Sequence, residues 1–127
     1  MKEQLLAQAR ELQPMLEEFR RDLHKHPETG FALTYTKAKV KAALEEMGYE
    51  PQDCGKAGLV MTVGGKKPGK VFLLRADMDA LPLPDETEYE FKSQNPGKMH
   101  ACGHDMHATM LMGAAKLLKE HEDEIEG

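Results

Sequence analysis

Apolar residues along the first part of the chain recur with helical spacing. Leu5, Ala9, Leu12, Leu16, Phe19 and Leu23 fall every three or four residues, which places them on one helix face. Pro14 lies inside that run, so a kink is expected, or a short helix followed by a second with Pro14 in its first turn. Pro27 and Gly30 end the helical stretch. A second helix is marked by Val40, Ala43, Leu44 and Met47, with Thr34 or Thr36 as its cap. Gly48 follows where a left-handed C-terminal residue is wanted.

The period then changes. Leu59 to Val63 and Val71 to Leu74 are short apolar or β-branched runs, separated by the turn chemistry of Gly64 to Gly69. This pattern predicts a β-hairpin, with Tyr49 to Cys54 as a preceding edge strand. The second strand runs on through Arg75 until Pro82 and Pro84 stop it. Leu83 to His104 shows no clean period, and a stretch of that length inside a compact domain is usually functional or disordered. Met106 to about His121 reads as a helix whose first half is apolar almost all round, and so as one buried on most sides. Glu120 to Gly127 is a charged tail.

Composition narrows the class without choosing a function. The 127 residues are 40% apolar, which excludes intrinsic disorder as a description of the whole. Seventeen Lys and Arg against 22 Asp and Glu give a net charge of −5, the wrong sign for a general nucleic-acid binder. No apolar run is long enough to span a membrane, and Met1 to Arg10 lacks the continuous apolar stretch of a signal peptide. Cys54 and Cys102 do not make a disulfide scaffold, so a reducing, cytoplasmic setting is expected.

Candidate chemistry gathers in one string, His100-Ala101-Cys102-Gly103-His104-Asp105-Met106-His107. A thiolate and an imidazole both suit zinc-type divalent ions. In extended backbone, residues two apart point the same way, so Cys102 and His104 can converge on one ion, with Gly103 leaving room between them. Asp105 is expected as the N-cap of the following helix, whose positive end favours a thiolate. His107 and His100 are weaker candidates, either as ligands or as groups that bond and orient one. The competing reading is a buried free cysteine among ordinary polar histidines.

A second string, Arg75-Ala76-Asp77-Met78-Asp79-Ala80-Leu81-Pro82, ends a strand, where ligands gather in α/β sheets. Asp77 and Asp79 share one side if the strand continues. Such a carboxylate could bind a metal or orient a metal-bound histidine, or simply cap the turn before proline. In Arg20-Arg21-Asp22-Leu23-His24-Lys25-His26-Pro27-Glu28, His24 and His26 look like a metal pair. On a helix they diverge by about 200°, so they read as a structural helix end. Gly64-Gly65-Lys66-Lys67 lacks the ending of a phosphate loop and is set aside.

Taken in order, these three strings resemble the amidohydrolase branch of the dimetal aminoacylase and carboxypeptidase superfamily. That branch holds N-acyl-amino-acid amidohydrolases, hippurate hydrolases, N-acetyl-diaminopimelate deacetylases and auxin-conjugate hydrolases. The likeness covers nearly all of the 127 residues. It implies an α/β fold, with residues 1–127 as the N-terminal part of a mixed-sheet, helix-flanked dimetal peptidase catalytic domain. An inserted dimerisation domain and a C-terminal part would lie outside it.

The resemblance implies two adjacent divalent ions (zinc, manganese, nickel or cobalt) in the complete enzyme. Cys102 and His104 match the first two ligands, and Asp79 the catalytic-site aspartate that orients the metal centre. Asp77 stands where other branches carry a metal-binding histidine. The implied reaction is metal-assisted hydrolysis of the amide of a small N-acyl amino acid, in a homo-oligomer, dimer or tetramer, with no nucleic-acid or membrane partner. The general-base glutamate and the remaining ligands find no match here, since Glu122, Glu124 and Glu126 do not fit that motif. The chain alone is therefore expected to be inactive. The alternative is a non-catalytic metal-binding or regulatory α/β module derived from that fold.

Overall fold

The computed structural model describes residues 1–127 throughout. Its elements are helix α1 (Lys2–Lys25), helix α2 (Thr34–Glu46), strands β1 (Gln52–Cys54) and β2 (Gly58–Val60), helix α3 (His104–Glu120) and a 3-10 turn at Glu122–Glu124. The two strands form an antiparallel hairpin in which Asp53 faces Leu59. The class is α/β, with a small sheet and helices laid beside it.

Helix α1 is continuous through Pro14, and the expected break is absent. Proline removes one N–H from the helical ladder. The turns on both sides are held by packing against α3, where a Cβ added at Gly113 would meet Leu16 Cδ1 at 3.0 Å. A residue without a side chain at that crossing lets the two helices approach closely.

The start of α2 corrects another expectation. Neither Thr34 nor Thr36 caps it; the side chain of Glu28 does so from outside. Its Oε1 accepts from the Thr36 N–H at 2.6 Å and its Oε2 from the Tyr35 N–H at 3.1 Å. A carboxylate there also suits the positive helix end. The C-terminus forms as the glycine signals. Gly48 has φ +95°, its N–H donates to Glu45 O, and the Tyr49 N–H reaches back to Leu44 O. This is a full Schellman closure. It turns Tyr49 into the core, where it packs with Val40, Leu44, Met112 and Ala115. The Tyr49 hydroxyl donates to Ala115 O at 2.6 Å, tying α2's exit to α3.

The hairpin falls elsewhere than expected. Leu59 to Val63 does not fold back on Val71 to Leu74; β2 pairs instead with β1, the segment read as an edge strand. The Gly64 to Gly69 turn is engaged by the tail, with the Gly65 N–H donating to Gly127 O and the Gly127 N–H to Lys67 O. Val71 to Leu74 is left without a paired strand, and its side chains are 57–96% exposed. This leaves a run of four exposed apolar side chains on one segment.

Helix α3 begins at His104 rather than Met106, with Gly103 (φ +94°) as its N-cap. Asp105 is therefore not the cap but a residue of the first turn. The helix buries Ala108, Thr109, Met112, Gly113 and Ala115 and leaves Met106 and Met110 half exposed or more, so it is buried on one side rather than most. No helix is long and apolar enough to cross a membrane.

Candidate metal centre

Three separated strings meet around the start of α3. Residue 80 is the first junction: the Ala80 N–H donates to Glu28 O at 2.7 Å, within a parallel bridge between Thr29 and Ala80. Leu81 and Met99 then exchange backbone hydrogen bonds of 2.9 and 3.0 Å in an antiparallel bridge. Those bonds bring Asp77 to Asp79 beside the turn that carries Cys102 and His104.

His104 is held from one side. Its Nδ1 lies 2.8 Å from Asp79 O and 3.0 Å from Asp79 Oδ1. Both partners are acceptors, so Nδ1 carries a proton, and in the neutral ring the lone pair is then on Nε2. Nε2 points toward Asp77, whose Oδ2 is 3.9 Å away and whose other oxygen pairs with Arg75. A histidine braced by a carboxylate through one nitrogen and open at the other is the arrangement that metal-ligating imidazoles adopt. Cys102 is an exposed free thiol on the turn just before α3, so it is not the buried cysteine of the competing reading. Thiol and imidazole together fit a zinc-type ion.

The donor set is incomplete within this chain. No three His, Cys, Asp or Glu side chains converge in a way that could hold an ion. His107 is exposed, with its ring 6.2 Å from that of His104. His100 is buried and turned inward. Burial holds its imidazole below the ordinary range, against the opposing pull of Asp105.

Beneath the pair lies a polar network that sequence reasoning missed. Asp105 Oδ2 accepts from Arg20 Nε at 2.8 Å and sits 2.8 Å from His24 Nδ1. His24 Nε2 faces Asp85 Oδ2 at 3.2 Å. An imidazole carrying both N–H groups satisfies the two carboxylates at once. His24 is thus a structural residue, as its place on the helix suggested, and so is His26, whose Nδ1 bonds Asp22 O.

Asp85 also accepts from the Thr87 N–H and hydroxyl and from the Ser93 N–H. Burial alone would raise its pKa, but the bonds from Thr87 and Ser93 and the charge of His24 outweigh burial. They hold the carboxyl far below the usual carboxylate range. The same contacts anchor the irregular stretch from Leu83 to His104. Asn95 Nδ2 donates to Pro27 O at 2.9 Å, and Arg20 and Arg21 lie over the Phe91 ring at 5.1 and 4.9 Å. Only Asp105's place before the apolar helix hinted at this network in the sequence. In the tail, Glu122 pairs with Lys119 and Glu124 with His121.

A carboxylate-braced histidine thus follows an exposed free thiol by two residues at the start of α3. Residues 73–127 match the sequence model of Peptidase family M20/M25/M40. The chain is 50% identical over 110 residues to IAA-amino acid hydrolase ILR1-like 5 of Arabidopsis thaliana, covering 85% of this chain and 25% of that protein. It is 44% identical over 110 residues to the N-acyl-L-amino acid amidohydrolase of Geobacillus stearothermophilus, covering 86% and 30%. Among solved structures, a dinuclear metal binding peptidase of the M20 family from Bacillus subtilis superposes with a TM-score of 0.87 at 39% identity, covering 93% of this chain and 33% of that one. The chain resembles the amidohydrolase branch of the M20/M25/M40 peptidases in sequence and has their fold. It spans about a quarter to a third of the length of these relatives.

Proposed function

We propose that this chain forms part of a metal-dependent amidohydrolase that cleaves the amide of small N-acyl amino acids, releasing a carboxylic acid and an amino acid. The observation that carries the reading is His104, fixed through Nδ1 by Asp79 with Nε2 open, two residues from the exposed Cys102 thiol. The relatives named as an IAA-amino acid hydrolase and an N-acyl-L-amino acid amidohydrolase support the reaction class. The neighbour described as dinuclear supports two divalent ions (zinc, manganese, nickel or cobalt), of which zinc best suits a thiol and imidazole pair.

In this reading Cys102 and His104 supply a thiolate and an imidazole to the metal centre. Asp79 keeps His104 in the tautomer that leaves Nε2 available, and in that sense serves the catalytic centre without donating to the ion itself. Asp77, held by Arg75, is placed to add negative charge beside Nε2. A bound divalent ion there would supply Lewis acidity toward the scissile carbonyl and its attacking water. The proton transfer needs a base, and in this reading that base comes from a part of the enzyme other than these 127 residues. The complete protein is proposed to be a cytoplasmic homo-oligomer acting on small molecules, with no nucleic-acid or membrane partner.

The test compares two polypeptides on N-acetyl and N-benzoyl amino acids, with and without zinc or manganese. The polypeptide encoded by the whole reading frame should release free amino acid only with metal, and the 127-residue chain should release none. Turnover by the 127-residue chain alone, or none by the whole polypeptide with either metal, would contradict the proposal.

A further inference from the structure

His100 is 4% exposed, and neither of its ring nitrogens has a hydrogen-bond partner in the protein. A neutral imidazole presents one N–H and one lone pair. Leaving such a group unpaired inside a protein is costly, and an apolar side chain of similar shape avoids that cost. Native interiors rarely carry it without a reason. The ring stands between the His24–Asp105 pair and the segment that follows Asp79. Its centroid is 6.4 Å from that of His24, whose Nδ1 bonds Asp105, and its backbone directly follows Met99, bridged to Leu81 two residues after Asp79. Two residues further on is Cys102.

We propose that His100 is a positioning residue for the Cys102–His104 pair, its ring holding one ordered water that fixes the turn from His100 to Gly103. A buried water satisfies unpaired polar groups of this kind with two to four hydrogen bonds, and it is the smallest ligand that can. Fixing the turn fixes the direction of the Cys102 thiol relative to His104 Nε2. Groups that orient ligands in this way typically change metal affinity by about 10- to 100-fold when removed. The inference rests on the metal-site reading above and adds to it a residue that touches no metal.

The experiment titrates Co2+ into wild type, His100→Phe and His100→Gln while following the thiolate-to-cobalt absorption, with circular dichroism as the check on folding. A crystal structure of the wild type reports the water directly. The expected result is a water within hydrogen-bond reach of a His100 ring nitrogen. His100→Phe should bind Co2+ at least about 10-fold more weakly at unchanged thermal stability, and His100→Gln should stay within about threefold of wild type. A dry ring, wild-type affinity in His100→Phe, or equal weakening in both variants would overturn the inference while leaving the metal site standing. If His100→Phe does not fold, His100→Gln decides alone: retained affinity supports the proposal and an about 10-fold loss overturns it. Absence of any cobalt band in wild type would bring down both readings.

Discussion

Replacing Asp105 by alanine should destabilise the chain by about 3–5 kcal/mol, a large part of the 5–15 kcal/mol typical of a domain. The side chain is 1% exposed, and Oδ2 alone serves Arg20 Nε and His24 Nδ1, each at 2.8 Å. Its second oxygen accepts from the Met106 N–H at 2.9 Å. Truncation leaves a guanidinium and an imidazole facing each other across an apolar gap with no anion between them. That is costlier than never having buried the group. The same carboxylate joins α1 to the first turn of α3, so its loss also loosens the turn that carries Cys102. A urea denaturation series on wild type, Asp105→Ala and Asp105→Asn measures this. A loss below about 1 kcal/mol for Asp105→Ala would mean that water, rather than Asp105, satisfies Arg20 and His24.

Asp85→Asn should cost about 2–3 kcal/mol at neutral pH and flatten the acid limb of the stability curve. Burial works against ionisation of Asp85. The donors from Thr87 and Ser93 and the His24 charge overcome it, so the folded-state pKa lies well below the usual range. A carboxylate with a depressed folded pKa stabilises the fold above its unfolded pKa of about 4. That stability is lost as pH falls from there through the folded value. Wild type should therefore lose stability steeply below about pH 4, and Asp85→Asn should lose less over the same interval. Denaturation midpoints taken in steps from pH 6 down to about pH 2 give the comparison. Parallel acid limbs would show that the carboxylate carries no excess charge stabilisation.

How far the fold was legible in the sequence follows the range of the interactions. Helix α2 was readable because its apolar spacing and Gly48 are local signals, and the Schellman closure that delivers Tyr49 to the core needs only those residues. Helix α3 and the pair Cys102–His104 were readable for the same reason. Pro14 misled, because the loss of one helical hydrogen bond is offset by packing against α3, a contact about a hundred residues away in sequence. The hairpin was misplaced because turn chemistry at Gly64 to Gly69 cannot say which strand pairs with which. In the fold that turn binds the tail.

The polar network was hidden for a related reason. Asp85 and Asp105 reach His24 over 61 and 81 residues, and nothing in the spacing of isolated aspartates announces such a partner. Glu28 was quoted only as part of a string, and its capping of α2 follows from the path of the loop after Pro27. Cys102 and His104 were legible as candidate ligands by residue type and spacing alone. The bracing of His104 by Asp79 became visible only once the bridges at Ala80 and Leu81 had drawn the two strings together.

On the proposed reading Cys102 and His104 form one half of a divalent metal site, with Asp79 holding the histidine. Cobalt absorption spectroscopy on wild type, Cys102→Ala and His104→Ala tests it most directly. In the complete protein, wild type should show a saturable thiolate-to-cobalt charge-transfer band. Cys102→Ala should abolish the band, and His104→Ala should weaken binding about 10-fold or more. A wild-type spectrum without the band, or an undiminished band in Cys102→Ala, would contradict the claim.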